Sequence, residues 1–354
     1  MKKEEIKIKI FYELSKELKD KWLNFEKESS FHFFQKYEFI ENFLYEQKRN
    51  CIFIILTFKD RTVAILPFEI KEIFGLKVLQ WLGTKEFDYC GPLIGNFQEE
   101  GIAKTLFRDV WKKIFLKYVK IDLILLDKQL EKINYFKNPF VDNLNNVLAS
   151  KIYSIKLPND YQSFLKNIKN KKFINEFTRT KGKFFNENKV EFHDIEANDI
   201  NFGIGDIVKQ KAKILEKRKI KHILDKKMIS ILNKIKESNS NLVKITTLKV
   251  NGELVAANLG LIHKRRFYYY MPVLFSEKFN KYSPGKVLIS YLIERSIINK
   301  IDYFDFGLGD ENYKKYWSNF NENLFRYFEF RTFKGFVAYL SIKFYLFIKQ
   351  FKLH

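Results

Sequence analysis

The stretch "KYSPGKVL" holds the residues of this sequence best suited to binding an anion. Lys281 and Lys286 flank a Pro-Gly pair at which a helix can begin. Proline suits the first turn of a helix because its missing N–H would be unpaired there, and Ser283 can cap the helix. The free N–H groups and partial positive charge of a helix start favour pyrophosphate. We therefore expect Lys281 to Lys286, with Gly285 at the centre, to hold phosphates; the alternative is an ordinary helix start.

Other familiar catalytic patterns are absent from the sequence. None of the five histidines lies in a GxSxG or HExxH context, and no P-loop or dinucleotide fingerprint occurs. Cys51 and Cys90 lack CxxC spacing, so a zinc site is not expected, and Cys90 reads as a small core residue rather than a nucleophile. These absences favour transfer between two bound substrates without a metal. A thioester donor suits such a reaction, since positioning does most of the work.

The composition is that of a basic globular protein. The 354 residues are 46% hydrophobic and carry a formal net charge of +22. Much of the lysine accompanies abundant Ile, Asn, Phe and Tyr, a pattern typical of AT-rich coding, yet the charge still favours CoA phosphates, tRNA, sugar nucleotides or acidic lipid. Two free thiols and the lack of a secretory signal predict a cytoplasmic protein.

The C-terminal segment "FKGFVAYLSIKFYLFIKQFKLH" is apolar with spaced lysines. It could lie at the inner face of a membrane as a peripheral contact. The alternative is a helix docked on the body of the protein.

The elements that must position the "KYSPGKVL" loop occur twice. Three antiparallel strands, a loop, a helix and a further strand are predicted from Cys51 to Asp127 and again from Leu242 to Gly307. Asn251-Gly252 is the clearest hairpin turn. "FKDRTVAILPF" parallels "LKVNGELVAANL", and "KID" opens the last strand of both copies. The fold class predicted is α/β (α+β), with two tandem units, each a mixed, mostly antiparallel sheet flanked by helices.

We predict domains at 1–150 and 151–354, the second including a basic helical insert at 160–238. Two interpretations of the insert are open. It forms an electropositive wall that binds an anionic substrate, or it is a solvated amphipathic helix. In the first copy "LIGNFQEEG" precedes the helix and is acidic, so a single donor site, in the second copy, is expected.

The second half of the chain resembles the acetyltransferase domain of the CelD/BcsL-type family, which belongs to the GNAT superfamily and is related to the FemAB transferases. The likeness rests on Ser283-Pro284-Gly285, on "FDFG" with Asp310, and on "YKKYW". "FQKYEF", "VAILPF" and "WLGTKEFDYCGPLIG" resemble the family's first domain. The resemblance implies a tandem GNAT fold that transfers an acyl group from acyl-CoA to an amine, often in envelope or polysaccharide metabolism.

The resemblance also implies roles for individual residues. Met271 and Val273 would lie along the pantetheine arm. Tyr313 would protonate the departing thiolate, or pack in the core. Asp305 would accept a proton or orient the amine, or bond loop amides. The residues implied for the acceptor are Asp88, Tyr89 and Lys314.

Three hypotheses follow. The first is an N-acyltransferase that uses acetyl-CoA or another acyl-CoA and an amine acceptor such as a sugar or polysaccharide precursor. The second is a FemAB-like transferase that uses aminoacyl-tRNA, as the FemAB relatives do. The superfamily's Q/R-x-x-G-x-G/A loop has Asn280 and Ser283 where Gln/Arg and Gly are expected, a departure that bears on CoA use and favours the next hypothesis. The third is a GNAT-like binding module without catalysis.

Overall fold

The computed structural model describes residues 5–96, 104–117, 120–134, 136–195 and 202–351. They divide into two compact units. The first unit comprises Met1–Leu44, Lys48–Ser150 and Asn323–His354, and the second comprises Tyr45–Gln47 and Lys151–Glu322.

The secondary structure alternates short helices with strands. The strands, in chain order, are β1 (Lys7–Phe11), β2 (Cys51–Phe58), β3 (Arg61–Ile73), β4 (Leu76–Trp81), β5 (Leu93–Ile94), β6 (Leu123–Leu130), β7 (Lys132–Ile133), β8 (Phe136–Lys137), β9 (Asn146–Lys156), β10 (Val190–Asp194), β11 (Val243–Val250), β12 (Glu253–His263), β13 (Arg266–Leu274), β14 (Tyr303–Asp305) and β15 (Phe320–Phe330). The helices are α1 (Lys16–Glu26), α2 (Tyr37–Glu46), α3 (Lys104–Lys117), α4 (Pro139–Asn143), α5 (Tyr161–Asn167), α6 (Lys171–Glu187), α7 (Ile204–Lys217), α8 (Lys226–Ser238), α9 (Pro284–Ile298), α10 (Asn312–Trp317) and α11 (Phe333–Phe351).

The sheet of the first unit has the strand order β1-β2-β3-β4-β6-β15, with β5 paired to β3. Strands β2, β3 and β4 are antiparallel neighbours, and β4 runs parallel to β6. The two hairpin turns hold Lys59, Asp60, Phe74 and Gly75 at positive φ, as type I′ turns require.

The sheet of the second unit has the order β9-β14-β13-β12-β11-β10. Its turns at Asn251-Gly252 and Lys264-Arg265 again have positive φ at both central residues. Helices α5, α6 and α9 pack their buried side chains into one apolar cluster, which includes Trp317 of α10. Helices α7 and α8 contribute nothing to that cluster and contact β13 and β11, which places them on the other face.

The sequence parallels between the two halves occupy equivalent positions. Val63-Ala64 and Val255-Ala256 each coincide with a register shift in the first hairpin, just after its turn. The amide of Asp122 bonds to the Lys77 carbonyl, and that of Asp302 bonds to the Arg265 carbonyl, so each "KID" is tied to the start of the third strand. The predicted fold class, mixed α/β with mostly antiparallel strands flanked by helices, is therefore confirmed.

Three sequence expectations differ from this arrangement. Segment 323–354, assigned to the second domain, groups with the first unit because β15 pairs with β6. The segment 160–238 is not a separable insert, since β10 pairs with β11 and α6 fills the core. The acidic stretch before α3 lies largely outside the described residues, which resume at Lys104.

No helix within the described ranges is both long and apolar enough to span a bilayer.

Candidate active site

The second unit contains a fork between two parallel strands. β13 and β14 pair from Arg266–Tyr303 to Tyr268–Asp305, where β14 ends. The chain then turns at Gly307, which has a positive φ, while β13 continues to Leu274. The far half of β13 is thereby freed from a strand neighbour on that side.

A β-bulge coincides with the fork. The register of β12 and β13 passes from Leu261–Tyr268 to Leu259–Met271, so Tyr269 and Tyr270 lie opposite Gly260 alone. A side chain at Gly260 would force the Phe267 ring to move, because a Cβ there would come within 2.3 Å of that ring. Bulges bend a strand and re-aim its side chains, and they are common beside active sites.

The helix start predicted to hold phosphates lies beside the end of β13. α9 begins at Pro284, as predicted, and a Cβ on Gly285 would have Leu274 as its nearest neighbour, at 3.9 Å. Ser283 differs from the prediction: it lies in the left-handed region (φ 52°) and its side chain makes no capping hydrogen bond. Its carbonyl instead accepts from the Lys286 and Val287 amides. The Gly285 N–H lies in the first turn of α9 and has no acceptor among the described residues.

The loop before α9 is held by contacts to α6. Tyr282 stacks on Phe184 with ring centroids 4.8 Å apart, and its hydroxyl donates to Glu187. Lys281 is exposed, and Lys286 lies half-buried over the Phe173 ring. The loop therefore presents two ammonium groups from an anchored backbone.

The outer edge of β13 is covered by α7. The Gln210 side-chain amide donates to the Leu274 carbonyl (2.6 Å), and the Lys211 ammonium donates to the Pro272 carbonyl (3.4 Å). Pro272 itself has no N–H to offer a ligand. Met271 and Val273, predicted to lie along the pantetheine arm, are both buried on this segment.

Asp305 closes the base of the fork. It is fully buried and pairs with Arg266 at 2.8 Å, while its other oxygen accepts from the Gly307 amide at 2.8 Å. Arg266 also reaches Glu322 at 3.2 Å. Both carboxylate oxygens are engaged, so the geometry supports the loop-bonding role over that of a proton acceptor.

Tyr313 lies on α10 at the mouth of the fork. Its ring meets Phe306 edge-on at 6.0 Å, and Tyr269 of the bulge meets the same ring at 6.0 Å. Burial, helped by the Glu311 carboxylate, raises the pKa of Tyr313 far above its ordinary value, against a smaller opposing effect of Arg218. The phenol therefore stays protonated at neutral pH and is suited to giving a proton rather than taking one.

Lys314 does not face an acceptor or solvent. Its side chain is 3% exposed and pairs with Glu311 at 2.9 Å. The ammonium also donates to the Leu308 carbonyl. A Cβ on Gly309 would collide with Glu311 and approach Lys314, so the loop is built around this pair. In this structure Lys314 therefore forms a structural ion pair, whereas the sequence predicted a contact with the acceptor.

Asp88 and Tyr89 belong to the first unit, in the loop between β4 and β5. Tyr89 is 0% exposed, its ring contacts His32, and its carbonyl accepts from Gln35. Asp88 is half-buried. A fully buried Tyr89 cannot contact an acceptor, because the loop folds into the core of its own unit.

The basic residues of the segment from Lys166 to Lys183 divide into two kinds. Most of them are exposed to solvent, which agrees with the interpretation of this segment as a solvated amphipathic helix. Lys181 differs: its ammonium lies 3.2 Å from the buried Ser290 hydroxyl, which Tyr161 also contacts, and burial lowers the Lys181 pKa.

Several site residues escaped the sequence analysis. Arg266 reads as part of a turn, and Gln210, Lys211 and Tyr269 stand in no motif. The one signal in the sequence that could have identified any of them is Arg266 at the start of an apolar strand. A guanidinium buried there needs a carboxylate partner, which would have indicated a buried ion pair. Within the described ranges, no three His, Cys, Asp or Glu side chains converge on a point where a metal could bind.

One protein family matches part of the chain. Residues 172–315 match the family described as an acetyltransferase (GNAT) domain, a span that contains the bulge, the fork and α9. The match covers less than half of the 354 residues. A search of curated protein sequences gives no match to the chain.

Solved structures share the fold at low sequence identity. FemX superposes with a TM-score of 0.60 at 9% identity, covering 90% of this chain and 97% of FemX. A conserved protein of unknown function from Bacteroides thetaiotaomicron gives 0.56 at 13% identity, covering 90% of this chain and 99% of that one. The C-terminal domain of a protein from Agrobacterium fabrum, described as a lysylphosphatidylglycerol synthetase, gives 0.54 at 9%, covering 92% and 94%. The structural likeness extends beyond residues 172–315 to most of the chain.

Proposed function

We propose that this protein transfers an acyl group from acyl-CoA to an amine. The observation that carries the proposal is the helix start at Pro284 and Gly285 beside the fork of β13 and β14, within the GNAT domain. An N–H group at a helix N-terminus and two flanking ammonium groups suit a pyrophosphate.

The reaction requires four tasks. The Gly285 amide, Lys281 and Lys286 bind the donor's phosphates, and an N–H near the bulge stabilises the oxyanion. The amine nitrogen bonds to the acyl carbon and loses one proton to the solvent, while the carbon–sulfur bond breaks and releases the thiolate. Tyr313 supplies a proton to the departing thiolate, and Asp305 holds the loop through Arg266 and Gly307.

The residues fit a CoA donor in part. The space beside Gly285 and the loop lysines fit the phosphates. The edge of β13 fits the pantetheine arm less well, because Pro272 has no donor and the Pro272 and Leu274 carbonyls are bonded to α7. Those side chains must release the carbonyls for an extended ligand to pair with β13.

That edge favours a second candidate, transfer from aminoacyl-tRNA, which has no pantetheine arm to accommodate. The exposed lysines of α5 and α6 and the net charge of +22 suit a polynucleotide. A module that binds without catalysis is the third candidate.

Calorimetric titration separates the three candidates. Acetyl-CoA and desulfo-CoA should bind the intact protein, and Gly285→Trp should abolish the heat. Gly182→Trp is the matched control, because a Cβ at that helical glycine meets nothing within 4 Å. Salt-sensitive binding of charged tRNA without a CoA signal would overturn the first candidate, and binding of neither would leave the non-catalytic module.

We extend the proposal to the acceptor and its setting. The resemblance to the CelD/BcsL-type family supports an amine on a sugar or a polysaccharide precursor, in the cytoplasm. Turnover measured with amino sugars as sole acceptors tests this part, and activity confined to peptide amines would contradict it.

Helix α11 supports a peripheral contact with the membrane. Phe333, Val337, Leu340 and Phe344 recur at helical spacing, and they are 79%, 50%, 49% and 67% exposed. Lys334 and Lys343 flank this stripe on either side. An exposed apolar face bordered by lysines is typical of a helix lying on an anionic bilayer. The inner face itself docks, with Gly335 against the Asp122 carbonyl.

Vesicle sedimentation tests the membrane contact. The protein should bind phosphatidylglycerol vesicles and not phosphatidylcholine ones, and Leu340→Asp should reduce the bound fraction severalfold. Phe74→Asp is the control, since Phe74 is fully exposed in a hairpin turn. Concentration-dependent dimerisation lost in Leu340→Asp, without vesicle binding, would assign the stripe to a second copy instead.

A further inference from the structure

The first unit contains a cavity that the proposed reaction does not use. Its volume is about 610 Å³, within the range of small-molecule sites. α3, the segment 143–147, β15 and α11 form its walls. All of these lie in one compact unit, so the cavity does not depend on the second unit.

The cavity has a positive charge. Arg108, Lys112 and Lys343 line it, and no carboxylate of the described residues comes within ion-pair distance of them. Glu329 is the one acidic lining residue among those described, and it is already engaged: it pairs with Arg331 at 2.9 Å and accepts from the Tyr327 hydroxyl at 2.5 Å. The charge that remains for a ligand is therefore cationic.

The arginine is held in place for an anion. Arg108 Nε donates to the Asn143 carbonyl at 2.8 Å, which orients the guanidinium while its two terminal nitrogens remain for a ligand. A guanidinium fork matches phosphate or carboxylate oxygens in a bidentate geometry.

The same cavity has an acceptor and aromatic surface. Asn143 is 7% exposed, and its buried Oδ1 has no hydrogen-bond donor in the described structure. Buried polar atoms are nearly always partnered, so a ligand hydroxyl or ammonium near Asn143 would complete the site. Tyr339, which is half-buried, adds a flat ring surface to the walls, which also include the nearly buried Trp111 and Tyr327. Such surfaces suit the C–H face of a pyranose ring.

We propose that this cavity binds a phosphorylated sugar, with the phosphate at Arg108 and Lys112 and the ring against Tyr339. The inference stands apart from the acyl-transfer site, because no residue of the second unit takes part.

Calorimetry on the full chain tests the proposal with glucosamine 6-phosphate, glucosamine and inorganic phosphate. The sugar phosphate should bind at least about tenfold more tightly than either fragment. Lys112→Gln should weaken it about tenfold, and Arg108→Lys, which keeps the charge but loses the fork, should weaken it severalfold. Lys85→Gln, at another exposed lysine of the first unit, should leave it unchanged.

Two results would overturn the proposal. Equal affinity for inorganic phosphate and the sugar phosphate would mean a plain anion patch, and no heat with any probe would mean no site. Gly285→Trp should leave this binding intact while removing CoA binding, so failure of one proposal is distinguishable from failure of the other. Thermal melts of each variant show whether it is folded.

Discussion

The strand after the second hairpin is interrupted in the first unit and continuous in the second. β4 pairs with β3 as far as Trp81–Phe68, the chain leaves the sheet for residues 82–92, and pairing resumes at Leu93–Ile65 as β5. In the second unit β13 runs unbroken to Leu274 and absorbs the irregularity as the bulge at Tyr269 and Tyr270. Equivalent hairpins are thus followed by different structures. In the first unit the loop 82–92 completes the core, and in the second unit β13 and β14 separate into the fork.

The parallel strand pairs differ in the same sense. In the first unit β4 and β6 match Val78 with Leu123 and Leu79 with Ile124. In the second unit the corresponding pair carries a buried Arg266–Asp305 ion pair. Charge is buried only where it has a partner, so this pair marks the end of the apolar core and the start of the site.

The largest loss of stability is expected from Tyr89→Ala. Emptying the volume of this fully buried ring should lower the free energy of unfolding by about 3–5 kcal/mol, measured by urea titration. Tyr12→Ala, at a 63% exposed tyrosine, is the control and should change little. A near-native Tyr89→Ala would mean that the 82–92 loop is not part of the core, and the comparison would fail.

A similar loss is expected from Asp305→Ala. It removes the closer of the two carboxylates that pair with the buried Arg266 and leaves Glu322 at 3.2 Å, and breaking a buried pair costs up to about 3–5 kcal/mol. Asp302→Ala removes the more exposed Arg265–Asp302 pair (2.7 Å), whose residues immediately precede the same two strands, and should cost about 1 kcal/mol or less. The double variant Arg266→Met/Asp305→Leu should recover stability relative to Asp305→Ala. Equal effects of the two aspartate variants would contradict a special role for the buried pair.

Tyr313→Phe should lower the acyl-transfer rate about 100-fold, because a general acid contributes at least that much. CoA affinity and stability should be nearly unchanged. Since burial raises the Tyr313 pKa, its phenol is protonated on both sides of pH 7, and the rate should not fall between pH 6 and 8 through this group. Tyr316→Phe, on an exposed neighbour, is the control. An unchanged rate in Tyr313→Phe would remove it as the acid.

Two glycine variants distinguish the bulge from the helix start. Gly260→Ala forces Phe267 to move and should cost about 1–3 kcal/mol in urea titration. Gly285→Ala has room for its methyl group and should leave stability within about 1 kcal/mol, or raise it, since alanine favours helices. A loss in Gly285→Ala as large as that in Gly260→Ala would mean that packing, not ligand access, requires Gly285.

The smallest expected effect concerns the cysteines of the first unit. Burial raises the pKa of both Cys51 and Cys90 to about 12, so almost no thiolate is present at pH 8. Iodoacetamide should leave the native protein unlabelled and modify both residues after unfolding in guanidinium. Rapid native labelling of Cys90 would reopen the 82–92 loop as a reactive site.

Much of the fold follows from short-range pattern. β2 matches the run "CIFIILTF", the hairpin turns fall where the strands were predicted to reverse, and α9 begins at the predicted Pro284. β1, β9, β10 and β15 were missed, because a strand that is half exposed has no clear apolar period of its own. Its pairing energy comes from partners far along the chain, such as Leu123 to Leu130 for β15.

The site was less predictable than the fold. The loop at Gly285 is a local signal, since a proline, a glycine and two lysines act within one turn. Lys314 and Tyr89 have no such signal: the same side chains would be solvated or catalytic in another environment. Lys314 became an ion-pair partner because Gly309 leaves room for Glu311 beside it.

Local chemistry therefore determines which segments turn, pair or begin a helix, because each of those steps involves neighbours within a few residues. Register determines the rest. One extra residue opposite Gly260 creates the bulge, and the end of β14 at Asp305 opens the fork. α7 reaches the carbonyls of Pro272 and Leu274 across 61 and 64 residues of sequence. Contacts at that separation depend on how the whole unit packs, and no short stretch of the chain encodes them.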